Sequence, residues 1–280
     1  MTTKVRKMAA ITMESFIQVF LIIIAIFFIF PFIWMICTAL KPATEVLSWP
    51  PIIFPKRPTM ANFLYVFETA PFGRYYLNSI FVSGVSTLSI LITSSLAGYV
   101  FAKIKFFSRD MIFYIILATA ILPLQSYLVL FYMMVAKIGG IDTYWGLILP
   151  GMVMSFGIFF LRQNIYSIPD ELIDAARIDG ASELGIYIRI ILPLSKSALA
   201  AIAIYAFTVK WGQLIWPLVV VSTKDKFTTE LGLTAFQQRF VVQYGPISAA
   251  AVICTIPTLV VFIVFNKQII RGLTLTGLKG

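Results

Sequence analysis

Histidine is absent from this 280-residue chain, and its two cysteines, Cys37 and Cys254, lie in separate apolar runs. No zinc cluster and no disulfide framework can be built from that inventory, so both cysteines read as packing residues. A Gly-x-x-x-x-Gly-Lys-Ser/Thr stretch is missing too, and with it any phosphate cradle of the chain's own. Charge is scarce: 12% of residues are charged against 60% hydrophobic, which excludes an ordinary soluble domain. Intramembrane catalysis would need convergent acids, bases, nucleophiles or metal ligands, yet none of the twelve acidic residues falls in an apolar run. The net charge of +10 flanks those runs. Loop orientation and anionic membrane lipids account for it better than nucleic acid does.

What the chain has in quantity is apolar length. Runs at 16–39, 76–101, 111–135, 146–161, 197–221 and 247–266 predict an all-α membrane protein of six transmembrane helices. The first run follows Lys4, Arg6 and Lys7 as a signal peptide would. Its length, roughly 36 Å at 1.5 Å per residue, exceeds a cleavable segment and suits an uncleaved span. Six crossings put both termini on one side. Segments 1–15, 102–110, 162–196 and 267–280 hold thirteen Lys and Arg, against eight in 40–75, 136–145 and 222–246. The excess predicts cytoplasmic termini and a multi-pass protein of the bacterial inner membrane. Lys210 is the only charge inside a predicted span.

The loops differ in chemistry. Pro42, Pro50, Pro51, Pro55, Pro58 and Pro71 forbid a long regular helix across 40–75 and predict an extended extracytoplasmic connection. The 162–193 segment is charged and rich in helix signals instead. Pro169 suits a first turn, with Asp170 and Glu171 at the positive helix end, and Gly180 suits a stop. Ser182 can cap a second short helix ending before Pro193. Such a pair can lie on the membrane surface or dock into a partner. For docking, Ala175, Ala176 and Gly180 would allow close backbone approach, and Leu172 and Ile178 would anchor.

The same loop reads Asp174-Ala175-Ala176-Arg177-Ile178-Asp179-Gly180, then nine residues, then Ile190-Ile191-Leu192-Pro193. It resembles the cytoplasmic signature of binding-protein-dependent ABC importer permeases, Glu-Ala-Ala, three residues, Gly, nine residues, Ile-x-Leu-Pro, with Asp174 as the one departure. Trp211-Gly212-Gln213-Leu214-Ile215-Trp216-Pro217-Leu218 is similar to the Trp-Asn-x-Phe-x-x-Pro-Leu pattern of the carbohydrate-uptake, maltose-system-like permeases, with Gly212 and Leu214 departing from it. The stretch from Arg271-Gly272-Leu273-Thr274 to Gly277-Leu278-Lys279-Gly280 resembles the ending of that subfamily. The resemblance implies one permease domain over 1–280, with 162–193 as a coupling loop between spans four and five. It implies a homologous permease partner, two ATPase subunits and an extracytoplasmic solute-binding protein. ATP and Mg would sit on the ATPases and no cofactor on this chain. Asp174, Ala175, Ala176, Gly180, Ile190, Leu192 and Pro193 become the candidate ATPase-coupling residues, and a tail with Thr274, Thr276 and Lys279 could reach the same interface or fray. The competing reading is a secondary transporter or channel without an ATPase; that class calls for several intramembrane ionisable groups or broken repeats.

For the solute path, the candidates are Lys210, Trp211, Gln213 and Trp216. Aromatics at Trp211, Trp216, Tyr205 and Phe207 are equally what membrane helices use for packing. Gln213 is more telling, because an amide facing a cavity can hydrogen-bond a hydroxylated solute. Lys210 either snorkels to the outer headgroups or faces the protein interior, where the partner permease or the solute must supply the counter-charge. The solute is then a neutral oligosaccharide or an anionic one, such as a uronate or a phosphorylated glycoside.

Overall fold

A computed structural model describes residues 2–237 and 243–277, with side chains across 13–234, 236 and 243–265. The described residues contain helices and no strand. In chain order these are α1 (Thr2–Ala39), α2 (Ala43–Val46), α3 (Ala61–Thr69), α4 (Phe72–Lys103), α5 (Arg109–Thr119), α6 (Leu124–Lys137), α7 (Tyr144–Ile148) and α8 (Ser155–Tyr166). They continue as α9 (Asp170–Ile178), α10 (Glu183–Ile186), α11 (Leu192–Leu194), α12 (Lys196–Trp211), α13 (Ile215–Val220), α14 (Thr229–Gln237) and α15 (Tyr244–Gly277). The chain divides into two units, residues 1–70 with 235–253 and residues 71–234 with 254–280.

In the first unit, α1 exposes apolar side chains on all faces from Phe16 to Ile33, as befits a helix solvated by lipid. The proline-rich stretch after it holds only the four-residue α2 before Pro58, as expected. The nine-residue α3 then forms where 59–70 is free of proline. Asn62 Nδ2 pins this connection by donating to the carbonyls of Ala39 and Lys41, each at 2.8 Å.

The core of the second unit is α4 against α8 and α12. A stripe of small residues on α4, Ser79, Ser83, Ser86, Ser94, Ser95 and Gly98, is buried. Small residues let membrane helices approach through dispersion where no hydrophobic drive exists. At Gly98 a Cβ would stand 3.0 Å from the Arg162 amide nitrogen, and at Gly157 it would stand 2.5 Å from Ser94 Oγ. Around this contact Ile90, Leu161, Ile165, Ile186, Ile191 and Ile202 close an apolar core.

Several predicted spans are broken rather than straight. α1, α4 and α15 are long and apolar enough to cross a membrane, and three bent helix pairs bring the number to six if each pair is one span. The 111–135 run bends by 99° between α5 and α6, where Pro123 removes an amide and starts α6. The 146–161 run bends by 44° beside Pro150. The 197–221 run, expected as one helix, stops at Trp211 and resumes at Ile215. Irregular backbone at membrane depth is tolerated where it is buried in protein or lines a cavity, and within 212–214 Gln213 lines one.

Candidate functional site: a tethered cytoplasmic loop and a lysine-lined cavity

The loop between α8 and α12 folds by its own capping chemistry. Pro169 precedes α9, and Asp170 and Glu171 occupy its first turn, where the helix dipole favours negative charge. α9 ends in a Schellman motif: Gly180, at φ +80°, donates to the Arg177 carbonyl at 3.0 Å, and Ala181 donates to the Ala176 carbonyl at 2.9 Å. Ser182 Oγ accepts from the Gly185 amide at 3.2 Å and caps α10. The second helix differs from its expectation. It does not end before Pro193 but widens into a π turn over Tyr187–Ile191 and runs through Pro193 to Leu194. Pro193 comes just after the π turn, one residue before the end of this helix.

Burial sorts the coupling candidates into two sets. Ile173, Ile186 and Ile191 point into the core, with Ala176, Ile190 and Leu192 packed partly against it. Leu172, Ala175 and Ile178, three residues apart on α9, face outward beside Asp174, and Ile178 is 87% exposed. Gly180 and Pro193 are exposed as well. Asp174 accepts from Arg177 at 3.1 Å within its own helix.

Side chains that no spacing rule singles out bind this loop to α4. Tyr99 Oη donates to Glu183 Oε2 at 2.5 Å, and Arg177 Nε donates to Glu183 Oε1 at 2.8 Å. Tyr187 and Ser95 hydroxyls lie 2.6 Å apart. Lys103 Nζ, on a side chain 4% exposed, donates to the Ile168 carbonyl at 2.5 Å and pairs with Asp170 at 2.6 Å. The Arg177 hydrogen bond, followed by the Tyr99 one, holds the Glu183 carboxyl below its ordinary value. The Lys103 hydrogen bond and charge do the same for Asp170.

On another part of the same unit, Lys210, Gln213 and Trp216 line one cavity of about 200 Å3 together with Tyr127, Phe131 and Gly151. Trp216 is 2% exposed; its Nε1 donates to the Gly146 carbonyl at 2.9 Å, and its ring meets Phe131 edge-on at 5.8 Å. Trp211 is not part of this group. It is 3% exposed, donates from Nε1 to the Cys254 carbonyl at 2.8 Å and stacks on Phe207. Tyr205 packs on Phe156 at 5.0 Å. Beyond the cavity, Asp142, at φ +54°, accepts from the amides of Ser222 and Thr223 at 3.0 Å each and pairs with Lys226 at 3.2 Å. Those amides, Thr223's first, hold its carboxyl far below the usual range. Thr274, Thr276 and Lys279 lie outside the residues whose side chains are described.

Residues 90–274 match the family described as the binding-protein-dependent transport system inner membrane component. The chain belongs to that family. It is 35% identical to an arabinooligosaccharides transport system permease protein of Halalkalibacterium halodurans, over 92% of this chain and 93% of the relative. It is 31% identical to the sulfoquinovosyl glycerol transport system permease protein of Agrobacterium fabrum, over 90% of this chain and 89% of the relative. Its fold matches a chain of a bacterial ABC transporter involved in importing the acidic polysaccharide alginate, with a TM-score of 0.81 and 21% identity, over 95% of this chain and 98% of that one. The chain is thus an inner-membrane transport subunit and not an enzyme, and membership sets aside the reading as a transporter working alone.

Proposed function

We propose that this chain is the permease subunit of an ATP-driven carbohydrate importer. It forms half of the translocation path for a sugar or oligosaccharide as one domain over 1–280, with both termini in the cytoplasm. A homologous permease supplies the other half, two ATPase subunits bind ATP and Mg, and an extracytoplasmic binding protein delivers the solute. The relatives' carbohydrate cargoes support the substrate class.

The observation that carries this reading is the outward face of α9. Leu172, Ala175 and Ile178 form an apolar and small-residue surface on the loop that bears the family signature, while the other face of the loop is bonded to α4. A partner gripping that surface would move α4, and with it the closely packed α8, as one rigid body when the ATPases close on nucleotide. Reconstitution with the cognate ATPase, permease and binding protein tests it. Stable co-purification and sugar-stimulated ATP hydrolysis are expected. Sugar uptake by this chain without any ATPase would overturn it.

A further inference from the structure

Among the described residues of its unit, Lys210 is the half-buried cation without a carboxylate partner; Lys105, Lys137, Arg189, Lys196 and Lys224 also lack one but are exposed. Arg74, Lys103, Arg109, Arg162, Arg177 and Lys226 each have one. It occupies the last turn of α12, where the helix dipole offsets part of a positive charge, and the chain then leaves helical geometry for three residues. Its ammonium abuts Gly151; any side chain there would collide with Nζ. The glycine therefore makes the room the amine occupies.

We propose that this cavity is a binding subsite for the negatively charged group of an acidic sugar, with Lys210 as the residue that recognises the charge. The inference rests on the carbohydrate-importer reading and names the cargo class within it. A cation with reduced access to water and no acid beside it lacks a compensating charge. A carboxylate, sulfonate or phosphate carried in by the solute supplies that charge and a charge-assisted hydrogen bond. The other walls suit the rest of a sugar: Tyr127, Phe131 and Trp216 offer aromatic faces to the apolar side of a ring, and the Gln213 amide can both donate to and accept from hydroxyls. At about 200 Å3 the cavity is smaller than the roughly 300–1,000 Å3 of drug-sized pockets and takes one ring, not a chain.

The test uses proteoliposomes holding the complete importer with its binding protein. Uptake is measured for a hexuronate trisaccharide, a sugar sulfonate, a sugar phosphate and a neutral trisaccharide, and the acidic probe that is taken up identifies the anion. Lys210→Met should raise KM for that probe by about tenfold or more, the loss expected for one charge-assisted contact. Lys210→Arg should restore most of it. Gly151→Ala, by displacing the amine, should raise the same KM. If Lys210→Met inserts poorly, Lys210→Gln gives the same readout. An importer that moves only neutral sugars overturns the inference and leaves the carbohydrate reading intact. So does a Lys210 variant that impairs neutral and acidic uptake alike, or neither. Uptake of no sugar by a correctly assembled, ATP-hydrolysing complex defeats the carbohydrate reading and the inference together.

Discussion

Gly180 turns the chain from α9 into the Ser182 cap at φ +80°, a conformation that costs a side chain about 1–3 kcal/mol, more when the residue is β-branched. Space is not the obstacle, since nothing lies within 4 Å of a Cβ built there. Gly180→Val should therefore distort the loop and spare the spans. We expect membrane levels near wild type with loss of sugar-stimulated ATP hydrolysis, and unimpaired hydrolysis would exclude this turn from coupling. Glu183 calls for a pH argument as well. Its carboxyl is held below the ordinary 4.5, so its bonds to Arg177 and Tyr99 contribute fully above that value. They are lost only as the pH falls through the lowered value. Coupling should then be flat from about pH 5.5 to 8 as far as this group is concerned. Glu183→Gln, which removes the charge and leaves Arg177 with Asp174 as its one carboxylate partner, should weaken coupling across that whole range. A variant indistinguishable from wild type in the ratio of uptake to ATP hydrolysis would show that the tether transmits nothing.

At the scale of elements, the α4–α8 contact carries the proposed motion because it is too tight to slip. With a Gly98 Cβ placed 3.0 Å from backbone, Gly98→Val overpacks the pair by about 1–3 kcal/mol. The variant should melt several degrees lower in detergent and transport poorly, and an unchanged melting temperature would refute the close packing. Local devices of this kind were the legible part of the sequence: the Gly180 stop, the Ser182 cap and the acidic first turn of α9 each depend on neighbours within a few residues. The tethers were not legible, since Tyr99 and Glu183, or Ser95 and Tyr187, meet across some ninety residues that no spacing rule folds together. The breaks at 120–123 and 212–214 were hidden because hydropathy continues through Ile121, Leu122, Leu214 and Ile215 while the helix does not. Pro123 was the one visible warning. In the cavity, Lys210, Gln213 and Trp216 come from one short segment of the sequence. Tyr127, Phe131 and Gly151 arrive from elsewhere in the chain, and Trp211 turned to its own packing partners.

For the whole molecule, the decisive question is how α12 and α13 cross the membrane. At 1.5 Å per residue the sixteen residues of α12 reach about 24 Å, short of a hydrocarbon core of about 30 Å. In the proposed six-crossing arrangement the six residues of α13 would add about 9 Å and complete the crossing, with Gln213 of the non-helical link lining the cavity. The alternative pairs Glu183–Leu194 with Lys196–Trp211 across a 78° bend as one span. That pairing would pull the loop's charged Glu183 and Arg189 toward lipid, where each charge costs about 2.5–3.5 kcal/mol even on a lenient scale. It would also remove the loop from reach of an ATPase. The first reading would give the proposed arrangement of six crossings with the loop and both termini inside, the side that the thirteen basic residues against eight favour. Alkaline phosphatase fused after Gly280 should be inactive, and the same enzyme fused after Lys226 should be active. Ile178→Cys should react with a membrane-impermeant maleimide in inside-out vesicles from cells that lack the ATPase subunits, and stay unlabelled in intact cells. An active fusion at Gly280, or labelling of Ile178→Cys from outside, would overturn the six-crossing arrangement and the coupling role of α9 with it.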